Sequence, residues 1–411
     1  MSIAADKTVF SLLKKTVNEK AYGSIELNKA LESLPDKTEN PYITALFYGV
    51  LQKSLQLDYI LDKLCNKPPQ SSIKLILKMG LYKLRYMDVP DYAAVNGAVE
   101  LCKSLGKGGA SGFVNAVLKK SGSVELPQIS DEHTLSVNAS VPEFLVNLLS
   151  ADYGFEFAKD LLTAKIDTRT HIRRNGLKIP QREFDEKYAF LAQNSTECGY
   201  YVTHNDMQKL EKGDYIIQSL SSMLVAEKFF RENDKTVLDL CAAPGGKAVY
   251  TYELHGGNVA ITACDIHSHR VELIKKYAAK TGADITAMVS DATVFNSEFE
   301  SKFDCVICDV PCSGIGVICK KPEILLKITP EDLDEIEKTQ RAILRAAARY
   351  VKTGGRLCYS TCTVLKREND GVIENFLKEH SEFAIDGEPM RLFPHLGGHD
   401  GFYAVTMKKE N

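Results

Sequence analysis

From residue 236 onward the chain alternates short apolar runs with amphipathic stretches, and this alternation limits the fold more than any other feature. The apolar runs fall at residues 236–240, 259–265, 285–289, 303–309 and 356–360. Around them, residues 218–230, 247–255, 269–281 and 330–351 read as helices. Thr329 suits an N-cap there, with Pro330 at the first helical position and Asp332 three residues after the cap. Strands that alternate with helices are joined by crossovers, so they pair in parallel, and the helices cover both faces of the sheet. The expectation is an α/β, Rossmann-like domain.

The chain before this region reads differently. Residues 1 to about 120 are helical: Ile43, Leu46, Phe47, Val50, Leu51 and Leu55 form an i, i+3, i+4, i+7 stripe, and no run of alternating strands occurs. Ser121-Gly122-Ser123, followed by Pro127, marks a boundary. Beyond it the pattern is mixed: Val141-Pro142-Glu143 opens a helix, a second covers residues 155–164, and His171 to Asn175 reads as a strand carrying basic residues. We therefore expect an all-α domain over residues 1–125, a small α+β segment over 126–213 and the α/β domain over 214–411. A length of 411 residues suits two or three domains.

Composition narrows the class. With 44% hydrophobic and 26% charged residues the chain can bury a real core. No apolar run approaches the roughly 18 residues of a membrane span, and no signal peptide opens the sequence, so a cytoplasmic location is expected. Eleven cysteines in that setting are thiols, ligands or nucleophiles rather than a disulfide framework. Net charge is −3, but residues 1–120 hold 17 Lys and Arg against 11 Asp and Glu. A basic N-terminal module fits RNA docking through phosphates. Charge alone fits an uneven solvated surface equally well.

Four motifs carry the chemistry. The first is Val237-Leu-Asp-Leu-Cys-Ala-Ala-Pro-Gly-Gly-Lys247, a strand running into a tight turn and a helix. Ligands of doubly wound sheets sit at such strand ends, and a helix N-terminus favours a negative group. Only Gly245 and Gly246 are present, so a dinucleotide pyrophosphate fits poorly, whereas a ligand carboxylate beside Lys247 fits well. Second, Asp265 ends the next strand, 19 residues past Gly246, a spacing suited to ribose hydroxyls. Asp291 follows the third strand, placed for an adenine edge. Each Asp alone is more often a turn residue; together they argue for an adenosine-containing cofactor. The third and fourth motifs, Asp309-Val-Pro-Cys-Ser-Gly314 and Tyr359-Ser-Thr-Cys-Thr363, bring Cys312 and Cys362 to the ends of two strands beside that cofactor. A thiolate adding to cytosine C6 makes C5 able to attack a methyl sulfonium, a step that splits one hard reaction into easier ones.

Zinc is the competing reading for Cys305, Cys308, Cys312 and Cys319. Cys305 and Cys308 lie three apart on a strand and point to opposite faces, so they do not share a metal. Cys241, Cys264, Cys305 and Cys358 are expected as buried packing residues.

Together these motifs resemble the NOL1/NOP2/Sun family of RNA 5-methylcytosine methyltransferases. Ile216-Ile217-Gln218 is similar to the family's segment ahead of the first strand, and Asp400-Gly401-Phe402 to its C-terminal D-G-F. The N-terminal part resembles NusB-like RNA-binding domains through Met79-Gly80-Leu81-Tyr82, Ala93-Ala94-Val95-Asn96 and Gly112-Phe-Val-Asn-Ala-Val-Leu118. That order of domains is the arrangement of the bacterial Sun-type branch, which acts on small-subunit (16S) ribosomal RNA. The resemblance implies that S-adenosyl-L-methionine is the cofactor and that Cys241, Ala242, Ala243, Pro244, Gly245, Gly246 and Lys247 line its turn. Asp265 and Asp291, with Arg270, would take its ribose and adenine ends, and Asp309 would lie between cofactor and base. Cys362 would attack, Cys312 would assist release, and Arg173, Arg174 and Asn175, similar to the family's R-x-N strand, would touch RNA. The unaided reading of those three is an exposed basic strand edge. Ser219 departs from the pattern, since relatives often carry an acidic residue there. A monomer acting on ribosomal RNA, with no metal and no membrane, is expected. The alternatives are the same chemistry on transfer RNA or DNA, or a catalytically silent NusB-like adaptor.

Overall fold

A computed structural model describes residues 2–18, 23–34, 36–167 and 169–410. They fall into two compact units, one of residues 1–163 with 318–328, the other of residues 164–317 with 329–411. The segment expected over 126–213 is thus divided. Its helices Glu132–Ala139, Glu143–Tyr153 and Phe155–Thr163 join the N-terminal helices, and its strands join the α/β body. The short piece 318–328, from the heart of the catalytic sequence, belongs to the helical unit, which no local pattern announced.

In the helical unit the stripe read from sequence faces inward: Ile43, Leu46, Phe47, Val50 and Leu51 are buried on the helix Asn40–Gln52. Two of the quoted motifs meet in the packing. A side chain at Gly80, on the helix Ser71–Tyr86, would come within 2.7 Å of Leu118 on the helix Ser111–Lys120. Glycine there permits the close approach of the two helices.

The second unit holds two sheets. The smaller contains β1 (Thr170–Arg174), β2 (Tyr200–Val202) and β3 (Tyr215–Ile217), all antiparallel in the order β2-β1-β3. The larger is built on β4 (Thr236–Asp239), β5 (Ala260–Asp265), β6 (Thr286–Val289), β7 (Phe303–Asp309) and β8 (Val351–Thr361), paired in parallel in the order β8-β7-β4-β5-β6. The parallel order reverses at β4 and β7. The sheet is mixed, however, which corrects the expectation of a purely parallel one. β9 (Phe383–Ile385), β10 (Met390–Leu392) and β11 (Phe402–Lys409) add antiparallel strands, with β11 against β8. Cys305 and Cys308 do face opposite sides of β7. Cys305 packs with Val225, Phe229 and Ile307, and Cys308 with Leu238, Leu344 and Val372.

The basic strand is corrected as well. β1 is the central strand of its sheet, not an edge, and Arg173 and Asn175 are each 1% exposed. Arg173 donates to the Gln218 side-chain oxygen at 2.9 Å, pairs with Glu253 and lies over the Tyr250 ring at 4.5 Å. Asn175 donates to the carbonyls of Gly213 and Thr281. Both side chains are thus used inside the protein, where no RNA reaches them; Arg174 alone of the three is partly exposed. Removing one partner of a buried ion pair leaves an uncompensated charge, at a cost of roughly 3–5 kcal/mol. Arg173→Ala should therefore lower thermal stability in calorimetry by about that amount. Unchanged stability together with weaker RNA binding would return Arg173 to the RNA surface.

Candidate active site

The parallel strands deliver their carboxyl ends to one edge of the sheet, where the order reversal opens a crevice. Asp239 ends β4, Asp265 ends β5, Asp309 ends β7, and Cys362 follows β8. A cleft at this edge is lined by Gln218, Asp239, Cys241 to Pro244, Gly246, Lys247 and Asp309, among others. The sequence therefore brings the expected turn residues and Asp309 to one place. Gly245 takes a φ of +109° as the helix Gly246–Leu254 begins, a conformation in which a side chain would be strained.

Three carboxylates so close together need a cation. Lys247 supplies it, its Nζ 2.6 Å from Asp309 Oδ2, while Ser360 donates to Asp309 Oδ1 at 2.8 Å. Burial pulls the Lys247 ammonium down, but the charge and hydrogen bond of Asp309, with Asp239, hold its pKa above the ordinary value. Asp265 is buried, accepts from the His267 N–H and pairs with Arg270 at 3.1 Å. Arg270 also donates to the Ala243 carbonyl, so it ties the second strand end to the turn. Asp291 is half-buried and caps its own loop, accepting from Thr293 N and Oγ1. Ser219 has a local reason: its hydroxyl caps the helix Leu220–Phe229.

The two motif cysteines meet. Cys312 Sγ and Cys362 Sγ are 3.3 Å apart. Its contact with Cys362, then burial and the charges of Glu368 and Asp309 hold Cys312 well above the usual thiol range, so it stays an S–H. Cys241 is also kept protonated, by burial and by Asp239, Asp309 and Asp265. Cys308 and Cys305 are buried within the core, and Cys319 belongs to the other unit. Backbone bonds fix the loop of Cys362: Gly316 N donates to the Cys362 carbonyl at 3.0 Å and Gly401 N to the Gly316 carbonyl at 2.8 Å. A side chain at Gly316 would lie 2.2 Å from the Gly401 oxygen, which accounts for the glycine of the D-G-F motif meeting another glycine.

Sequence reasoning missed Asp239 and the amide of Gln218. Among the described residues, Gln218 Nε2 is buried at the cleft without a hydrogen-bond partner, and the buried Asp239 carboxylate there has no ion-pair partner, only the backbone of Cys241 beside it. Buried polar groups are seldom left unpaired, so each needs an explanation. An unpaired carboxylate and an unpaired amide N–H in one cleft fit the ammonium and carboxylate of an amino-acid group, as S-adenosylmethionine carries. The signal was present in the first motif, as an acid inside an apolar strand.

The sequence comparisons agree with this geometry. A family model described as 16S rRNA methyltransferase RsmB/F matches residues 228–408, and a NusB family model matches residues 4–122. The chain is 35% identical to the probable ribosomal RNA small subunit methyltransferase B of Bacillus subtilis (strain 168), over 98% of each chain. It is 28% identical to the protein of the same description from Synechocystis sp., over 99% of this chain and 100% of that one. Its fold is similar to the crystal structure of PH0851, with a TM-score of 0.80 at 22% identity over 100% and 99% of the two chains.

Asp239 gives the cleft a pH signature. Burial raises its carboxyl to about 7, the Asp309 charge adding to the shift and Lys247 opposing it. A raised pKa means that the free protein keeps a proton on Asp239 from the ordinary carboxylate range up to about 7. An ammonium binds only after that proton leaves. Affinity for S-adenosylmethionine in calorimetry should rise roughly tenfold from about pH 5.5 to about pH 7. Asp239→Asn should bind more weakly at the upper pH and lose the slope. The same slope in both proteins would contradict the assignment.

Proposed function

Since the chain belongs to the RsmB/F family of 16S rRNA methyltransferases, we propose that it methylates C5 of one cytosine in small-subunit ribosomal RNA, with Cys362 as covalent nucleophile. The observation that carries this reading is the pair of thiols 3.3 Å apart at the sheet edge, beside a cleft holding an unpaired carboxylate. The cleft takes the amino-acid end of S-adenosylmethionine through Asp239 and Gln218, and its nucleoside end reaches past the cleft's lining to Asp265 and Asp291 at the ends of the next two strands. The N-terminal unit, with its excess of Lys and Arg over residues 1–120, docks the RNA, and Arg174 remains a contact. The protein acts as a monomer in the cytoplasm.

Each residue has a task. The target base leaves its stack to reach the thiols. Cys362 attacks as a thiolate, forming a bond from sulfur to C6 and moving an electron pair to C5. Lys247 is close enough to Cys362 for their charges to interact, and a nearby cation favours a thiolate, while the Cys312 sulfur lies 3.3 Å away. Bound S-adenosylmethionine supplies a methyl group on a sulfonium centre. Once C5 carries the methyl group, its proton passes to a water molecule in the open site, the C5–H electron pair re-forms the C5–C6 double bond, and the bond from C6 to sulfur breaks, returning Cys362 as a thiolate. The Cys312 thiol assists that release by supporting negative charge on the departing sulfur. Asp309, held by Lys247 and Ser360, faces the space between cofactor and base.

The test is 5-methylcytosine mapping of small-subunit ribosomal RNA from a strain lacking this gene. One modified cytosine should disappear, return with the wild-type gene and stay absent with Cys362→Ala. An unchanged map in the deletion strain would contradict the substrate, and restoration by Cys362→Ala would contradict the nucleophile.

A further inference from the structure

Resting on the reading that both thiols act in methyl transfer, we propose that the adjacent pair Glu368-Asn369 is the positioning device that sets their spacing, the two residues together holding the flanks of both cysteines. The two residues lie in the turn that enters the helix Asp370–Glu379 and are not among the residues lining the cleft.

Glu368 serves chiefly the Cys312 side and also hydrogen-bonds the Thr363 side chain beside Cys362. Its carboxylate accepts from the Ser313 N–H at 2.8 Å and from the Ser313 hydroxyl at 2.5 Å. Gln340 donates to Glu368 at 3.1 Å and to the Pro311 carbonyl at 3.0 Å. The residues on either side of Cys312 are therefore tied to one carboxylate, directly or through a single amide. Asn369 serves the Cys362 side. Its side-chain oxygen accepts from the Thr361 hydroxyl at 2.6 Å and its N–H donates to the Thr363 carbonyl at 3.1 Å. Thr361 and Thr363 flank Cys362. The halves are joined by the hydroxyls of Ser313 and Thr363, 2.9 Å apart.

Stability alone does not explain this arrangement. Glu368 and Gln340 are fully buried and Asn369 is 3% exposed. A buried carboxylate without a cation is costly, and apolar residues of similar volume would often serve packing as well or better. The side-chain bonds of the pair end on Ser313, Thr361 and Thr363, which neighbour the two cysteines, and on Gln340. The flanks are fixed while both sulfur atoms stay available to a substrate. Preorganisation of this kind matters because small displacements of reacting groups are expensive in rate.

The spacing can be read without RNA or cofactor. Oxidised glutathione converts two neighbouring thiols into a disulfide: a mixed disulfide forms with loss of one glutathione thiol, and the second protein thiolate then displaces the other. That closure step depends on the separation of Cys312 and Cys362. In the full-length protein, Glu368→Ala and Asn369→Ala should each slow closure at least tenfold, while S-adenosylmethionine affinity stays within twofold. Turnover should fall at least a hundredfold with KM for RNA within threefold. Glu368→Gln and Ser313→Ala, smaller changes, supply the measurement if the alanine variants do not fold, and should slow closure several-fold. Wild-type closure rates in folded variants would overturn the clamp, as would slowed closure with wild-type turnover. Slowed closure and turnover in a protein whose Cys362→Ala variant still methylates would support the clamp while refuting the covalent reading, so the two failures are distinguishable.

Discussion

The ion pair of Lys247 with Asp309 is the interaction on which the site depends. Parallel strands end side by side, and this chain places an acid at the end of three of them, Asp239, Asp265 and Asp309. Carboxylates crowded at one low-dielectric edge repel, and each would prefer its neutral form. Lys247 at 2.6 Å and Ser360 at 2.8 Å settle Asp309, and Arg270 at 3.1 Å settles Asp265. Among the described residues, Asp239 has no cation paired with it. Two cations for three acids thus leave one carboxylate poised for a ligand ammonium, and Lys247 keeps a positive charge near Cys362.

The fold then makes the chemistry local. Because β7 and β8 are neighbours in register, with Asp309 opposite Ser360, the segments leaving them carry Cys312 and Cys362 to the same point. The Gly316–Gly401 contact and the buried polar web below Ser313 and Thr363 hold those segments from two sides. The cleft and the pair of thiols are therefore consequences of one sheet edge.

Much of this was legible because it is written in local pattern. Apolar runs bounded by turns disclosed β4 to β8, and each strand-end acid or cysteine stood at a position the alternation already marked. The antiparallel strands β9 to β11 escaped notice because they fall after the alternation ends and depend on pairing with a distant partner, β8. The role of Arg173 was hidden for a similar reason: whether a strand is central or an edge is decided by β2 and β3, which lie well downstream. Glu368 and Asn369 look like ordinary polar residues at a helix start. Only tertiary convergence on Pro311, Ser313, Thr361 and Thr363 reveals them, and no spacing in the sequence encodes that meeting.

The central claim is that two neighbouring thiols divide one reaction, Cys362 forming the bond to the base and Cys312 helping to break it. Its most direct measurement is denaturing electrophoresis of each single cysteine variant after incubation with substrate RNA and S-adenosylmethionine. The account predicts a slower-migrating protein–RNA adduct in Cys312→Ala, none in Cys362→Ala, and none in the double variant because attack precedes release. An adduct in Cys362→Ala and none in Cys312→Ala would exchange the roles, and intact methylation by Cys362→Ala with no adduct in either variant would contradict covalent catalysis altogether.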